Sequence, residues 1–296
     1  SLFLGYTSPL LLGILAFFLS LFGTPFYPAR DSLIPQIVPS KHLTKANTII
    51  SASGQFAHVL GPLIAGLLVS MVGLMHLFTI DAITFLLSLV FIVLISDDNR
   101  IDRTINLGNT DFLFGGLKFL KSNEGLLILL ILTLVNNFFI MGPAMIGIAV
   151  FVKNILNNSF VTLGIMEAAM ATGMIFGSFG IWKFSNKFSV TNLLLFGIIF
   201  DGITFCPLYF VKSEFLAIIV MFIHGFGIPM ITISRTLIIQ KNVPKNMQGR
   251  IFSLFQIAVV GTTAFSIAVV GPILEYLTVN MLFLIIGIFA ASCSLL

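Results

Sequence analysis

Stretches of about 20 predominantly apolar residues recur along the chain between short polar clusters, and each is long enough to carry a helix across a hydrocarbon core of about 30 Å. Nine spans are expected, near residues 9–28, 46–72, 75–95, 125–151, 159–182, 189–211, 214–238, 250–274 and 279–296. Backbone polar groups in lipid must be paired within the chain, so the spans are read as helices. A β-barrel would alternate apolar and polar residues over segments of roughly 10 residues, and this sequence does not. Composition agrees: 58% of residues are hydrophobic and 9% charged, against about 25% charged in soluble domains. Cys206 and Cys293 both lie in apolar runs and read as packing residues, with no disulfide framework or metal spacing. A net charge of +4 need not signal nucleic acid, because basic loops on one face of a membrane account for it.

The nine-span reading makes a checkable distribution of cations. Arg30, Lys41, Lys45, Arg100, Arg103, Lys118, Lys121, Lys183, Lys187, Arg235, Lys241, Lys245 and Arg250 fall on one side. Of the 15 Lys and Arg residues, only Lys153 and Lys212 fall on the other, so the first side is expected to be cytoplasmic. The expected divisions are a partial amino-terminal half over 1–96, a cytoplasmic linker over 97–124, and a six-helix carboxy-terminal half over 125–296. The linker carries Asp97, Asp98, Arg100, Asp102 and Arg103. Its stretch Phe112 to Leu120 has the apolar face of an interfacial amphipathic helix.

An internal repeat supports two related halves. Arg30, Val38 and Pro39 are matched, at an offset of 205, by Arg235, Val243 and Pro244, with Leu33 and Ile34 opposite Ile238 and Ile239. A Gly-Pro pair follows each copy inside the next span, Gly61-Pro62 and Gly271-Pro272, at different spacing. A half of six spans implies a whole of twelve, which leaves three expected upstream of Ser1.

With these features the chain resembles the major facilitator superfamily, in particular the bacterial exporters grouped with macrolide efflux proteins and siderophore exporters. The resemblance rests on Tyr27-Pro28-Ala29-Arg30-Asp31-Ser32-Leu33-Ile34-Pro35, Leu43-Thr44-Lys45-Ala46-Asn47 and Leu60-Gly61-Pro62-Leu63-Ile64-Ala65-Gly66. It implies an all-α integral membrane fold with about nine of twelve helices, two pseudo-symmetric halves, and a monomer. Gly61, Pro62 and Gly66 resemble the glycine-proline motif of proton-coupled antiporters, with Ala65 in place of a glycine. The segment Ile181 to Lys187 is a poor match to the family's cytoplasmic loop signature.

No enzymatic constellation, nucleotide loop or metal-ligand spacing is present in the sequence, and no cofactor is expected. Carboxylates at bilayer depth cost at least about 2.5–3.5 kcal/mol each and therefore need a reason. Glu167, Asp201 and Asp81 are the proton-coupling candidates. Glu167 leads, on a helix whose small residues permit close packing, with a hydrogen-bonded neutral acid as the alternative. Asp201 beside Gly202 has a structural alternative, and for Asp81 structural bonding is the preferred reading. Isolated polar groups on helix faces, Gln55, His58, Asn136, Asn137, His224 and Gln256, are the substrate-cavity candidates, although a lone histidine more often packs. Gly61, Pro62 and Gly66 are read as a kinked, tightly packed helix sealing the two halves. Arg30 and Arg235 are read as cations at equivalent helix ends, pairing with carbonyls or in a gate. The expected function is proton-coupled export of a small hydrophobic or amphiphilic compound by alternating access. An importer or a non-transporting scaffold of the same fold are the alternatives. The chain is expected to sit in the cell membrane, with protons, lipid and substrate as its partners and no nucleic acid.

Overall fold

The computed structural model describes residues 9–95, 110–156, 160–185 and 187–292, all of them helix or connecting turn with no strand among them. Twelve helices follow in order: α1 (Pro9–Gly23), α2 (Phe26–Ile37), α3 (Leu43–Val72), α4 (Leu74–Val93), α5 (Thr110–Lys121), α6 (Glu124–Gly142), α7 (Ile148–Asn154), α8 (Phe160–Phe184), α9 (Val190–Ile203), α10 (Glu214–Asn242), α11 (Lys245–Tyr276) and α12 (Val279–Ser292). Among the described residues six rods are long and apolar enough to span a membrane: His76–Val93, Glu124–Asn154, Val161–Phe184, Val190–Tyr209, Glu214–Asn242 and Lys245–Tyr276. The expected first span, 9–28, is instead two helices. It breaks at Thr24 and Pro25, where the proline has no N–H to continue the ladder, and resumes as far as Ile37. Asp97 to Arg103 and Cys293 lie outside the described residues, whereas α5 is the helix that the apolar face of 112–120 calls for.

The repeat read from sequence has a backbone counterpart. Val38 ends α2 at φ −113°, ψ 127°, and Val243 ends α10 at φ −101°, ψ 130°. Pro39 follows at φ −56°, ψ 143°, and Pro244 at φ −55°, ψ 141°. In each copy the valine N–H donates to the carbonyl four residues back, Ile34 or Ile239. A residue before proline is pushed out of the helical region, so Val-Pro makes the same extended elbow twice.

The carboxy-terminal half is packed around two apolar clusters. Phe151, Met166, Phe205, Leu208 and Phe283 form one, and Leu120, Leu126, Ile198, Ile251 and Phe252 the other. The second cluster seats α5 against the bundle through Leu120. A third cluster joins the halves, with Ile34 and Leu43 on one side and Ile181, Ile233 and Leu237 on the other.

Helices α8 and α10 cross at glycines. A Cβ on Gly173 would fall on the Phe222 carbonyl oxygen, and one on Gly225 on the Met170 carbonyl oxygen, so only hydrogen fits at either place. Helix α6 runs into α7 through a π turn, Pro143–Gly147. At that point the Ser266 hydroxyl of α11 accepts from the Gly142 N–H and donates to the Phe138 carbonyl, two groups four residues apart on α6. A side chain wedged into a helical ladder is a recognised cause of a local bend.

Candidate functional site

A cavity of about 500 Å³ lies between the halves, where α2 and α3 face α8 and α10. Arg30, Asp31, Gln55, His58, Met170 and Met174 are among its walls. Two of the expected cavity residues, Gln55 and His58, thus share one chamber with Arg30. Glu167 stands one turn beyond Met170 on the same face of α8, since residues 167, 170 and 174 follow the three-and-four spacing of a helix stripe. Its side chain is exposed.

One end of the cavity is closed. The Gln240 amide donates to the Asp31 carbonyl at 3.0 Å, and its Oε1 accepts from Asn47 at 2.7 Å. Thr48 Oγ1 donates to the Ser178 carbonyl at 3.4 Å, and the Ser51 and Ser178 hydroxyls meet at 3.1 Å. Gln248 in turn donates to the Gln240 and Val243 carbonyls, fixing the second elbow to the same lock. These inter-half bonds gather beside Lys41, Lys45, Lys241 and Lys245, the basic side of the molecule, together with the third apolar cluster. Gly54 and Gly61 on α3 and Gly164 on α8 have nothing within 4 Å of where a Cβ would sit.

The arginines depart from the expected pairing with helix-end carbonyls. Arg30 Nη2 sits 2.7 Å from Asp31 Oδ1, with its guanidinium 5.1 Å from the Tyr27 ring centre and 5.9 Å from that of Phe26. Arg235 borders a void of about 40 Å³ with Asp31 and Gln256, and its charge acts on Asp31 across the boundary between halves. Gln256 therefore belongs to this small inter-half void. A close helix approach at Gly61 is not made here, because nothing lies within 4 Å of where its Cβ would sit. The surroundings of Pro62 and Gly66 lie outside the described part of the structure. Asp81 is exposed on α4, which packs on α3.

Three further cavity candidates are placed elsewhere. Asn136, Asn137 and His224 are buried inside the carboxy-terminal half, at 8%, 7% and 2% exposure, where they face neighbouring helices rather than the cavity. Asn137 donates to Thr263 Oγ1 at 2.7 Å, tying α6 to α11. His224 Nδ1 meets Thr204 Oγ1 at 2.8 Å, and Asn136 Nδ2 points at Asp201 Oδ2 at 3.4 Å. Asn47, Ser178 and Gln240 escaped the sequence reading. Their signal, a polar side chain one or two turns inside a helix end on the basic side, is common to many helix termini.

Paired helical halves, an inter-half cavity and a repeated elbow define a membrane transporter fold, and the sequence matches the Major Facilitator Superfamily over residues 1–261; the chain belongs to that superfamily, whose members are transporters rather than enzymes. It is 25% identical over 279 residues to the MFS-type transporter YfmI of Bacillus subtilis, which covers 91% of this chain and 68% of that protein. It is also 25% identical over 252 residues to macrolide efflux protein A of Enterococcus faecalis, covering 83% and 77%. The corresponding Streptococcus pyogenes protein is covered over 62% of its length. The fold is similar to that of a bacterial homologue of the iron transporter ferroportin in an outward-facing state, with a TM-score of 0.71 at 16% identity, over 99% of this chain and 74% of that one. The chain is accordingly a multi-pass membrane protein.

Proposed function

We propose that the protein is a proton-coupled exporter of hydrophobic or amphiphilic compounds, working by alternating access between its two halves in the cell membrane. The observation that carries this reading is a cavity closed on the basic side by the Gln240 lock and open toward the opposite side, with a carboxylate, Glu167, one helical turn beyond its Met170 wall. With cations gathered in the cytoplasm, this is the outward-open state, and residues 97–124 are the cytoplasmic linker between the halves. A mixed wall of Met170, Met174, Tyr27, Gln55 and His58 suits an amphiphile, because soft apolar groups conform to varied shapes while scattered polar groups orient them. The macrolide efflux relatives support the direction and the class of compound. Glu167 loads a proton from outside while the cavity is open, and gives it up on the cytoplasmic side after the halves rock.

The decisive experiment uses everted membrane vesicles containing the full-length protein, energised with a pH gradient and offered erythromycin or ethidium. Wild type is expected to accumulate at least one of them. Glu167→Gln is expected to abolish the gradient-dependent part, and undiminished accumulation in that variant would remove Glu167 from the coupling role. Accessibility checks the state itself. Gln55→Cys and His58→Cys are expected to react with a membrane-impermeant maleimide from outside at least roughly tenfold faster than Thr48→Cys, whose native side chain is 1% exposed. Equal rates at all three positions would contradict an outward-open resting state.

A further inference from the structure

Away from the cavity, the interior of the carboxy-terminal half holds an acid and a base facing one another. Asp201 on α9 and His224 on α10 are each 2% exposed, and His224 Nε2 lies 3.5 Å from Asp201 Oδ1. Asp201 is eleven residues from the start of α9 and His224 ten from the start of α10, so both lie near mid-membrane at 1.5 Å rise per residue. The hydrogen bonding around them is incomplete. Asp201 Oδ2 receives one long bond from Asn136, and Asp201 Oδ1 and Asn136 Oδ1 have no hydrogen-bond partner. Asn136 from α6 and Thr204 from the end of α9 supply the neutral polar groups, while the Phe205 ring edge closes over the imidazole at 4.6 Å. α12 brings only apolar groups to this corner, among them Phe283 against Phe205. Among the described residues no other charged side chain acts on either member of the pair.

A carboxylate in such a place, without a strong donor, is costly to keep ionised and alone. One proton between Oδ1 and Nε2 relieves that cost, whichever atom carries it. Removing the proton leaves a bare carboxylate beside a neutral ring, which disfavours the present packing of α6, α9 and α10. Two features give the change a route to the gate. Arg235, which acts on Asp31 of the other half, lies eleven residues beyond His224 on the same helix. The neighbour of Asn136 on α6, Asn137, fastens α11.

We propose that Asp201 and His224 together form a second proton-binding site of the transport cycle, inside the carboxy-terminal half and separate from Glu167. A proton taken from water on the outer side binds between Oδ1 and Nε2. It is released to water on the cytoplasmic side, with no other bond made or broken. This rests on the proton-coupled reading above. The test places full-length wild type, Asp201→Asn and His224→Gln in proteoliposomes, with whichever of erythromycin or ethidium the wild type moves. Two rates are measured: uphill transport driven by an imposed pH gradient, and substrate counterflow without a gradient, which needs the rocking motion but no net proton movement. Each variant is expected to lose roughly tenfold or more of the uphill rate while keeping counterflow within about twofold. Parallel loss of both rates would make the pair structural only, and retention of both would make it irrelevant to coupling; either overturns the inference while leaving the exporter reading intact. A wild type that moves neither compound under a gradient fails the exporter reading itself, and this inference with it.

Discussion

Gly225→Ala and Gly173→Ala are expected to leave little folded protein in the membrane. At both positions the added methyl meets a carbonyl oxygen of the opposing backbone, Met170 or Phe222, and backbone cannot rotate away as a side chain would. α8 and α10 would have to separate along their length, and overpacking of this kind costs about 3 kcal/mol or somewhat more. Gly164→Ala on the same α8 is the internal control, because nothing lies within 4 Å of its Cβ position. There the substitution is expected to be neutral or to stabilise by up to about 1 kcal/mol through helix propensity. Monodispersity and thermal midpoint in detergent separate the two cases. A Gly225→Ala protein as stable as Gly164→Ala would mean that the crossing is looser than described.

Gln240→Ala combined with Asn47→Ala is expected to tip the resting state toward opening on the basic side. Gln240 bridges the halves twice, through the Asn47 amide and the Asp31 carbonyl. Each such bond contributes about 0.5–1.5 kcal/mol net, so losing both shifts the balance by about fivefold to 150-fold. Thr48→Cys, in a background lacking Cys206 and Cys293, reports the change, since Thr48 sits within the closed seam. Its labelling from the basic side should rise by at least about fivefold in the double variant. Unchanged labelling would show that the apolar cluster of Ile34, Leu43, Ile181, Ile233 and Leu237 holds the seam without the amides.

Much of the architecture was legible because lipid imposes simple rules. Apolar stretches of fixed length mark the helices, and the Val-Pro repeat marks both elbows. The break between α1 and α2 was hidden, because residues 9–28 are apolar throughout and hydropathy does not register a proline's missing N–H. Gln55 and His58 stand out by helical spacing, which does select one face of a rod, and both line the cavity, whereas Glu167 stands out only as a carboxylate at bilayer depth. Spacing cannot say whether that face looks into a chamber or onto a neighbouring helix. For that reason Asn136, equally periodic, is an interior partner of Asp201, as is His224, a lone histidine whose packing role was the preferred reading. Nor can it register groups that meet across the whole chain, as Asn47 and Gln240 do.

The hydroxyl of Ser266 sits inside the rod formed by α6 and α7 like a pin through a hinge. A rod with one weakened joint flexes there and stays stiff on either side. Bending is therefore localised between the arm bearing Asn136 and Asn137 and the arm bearing Ile148 to Asn154, which is itself seated in the first apolar cluster through Phe151. Geometry at a single oxygen atom, supplied by α11, decides where that bending is spent.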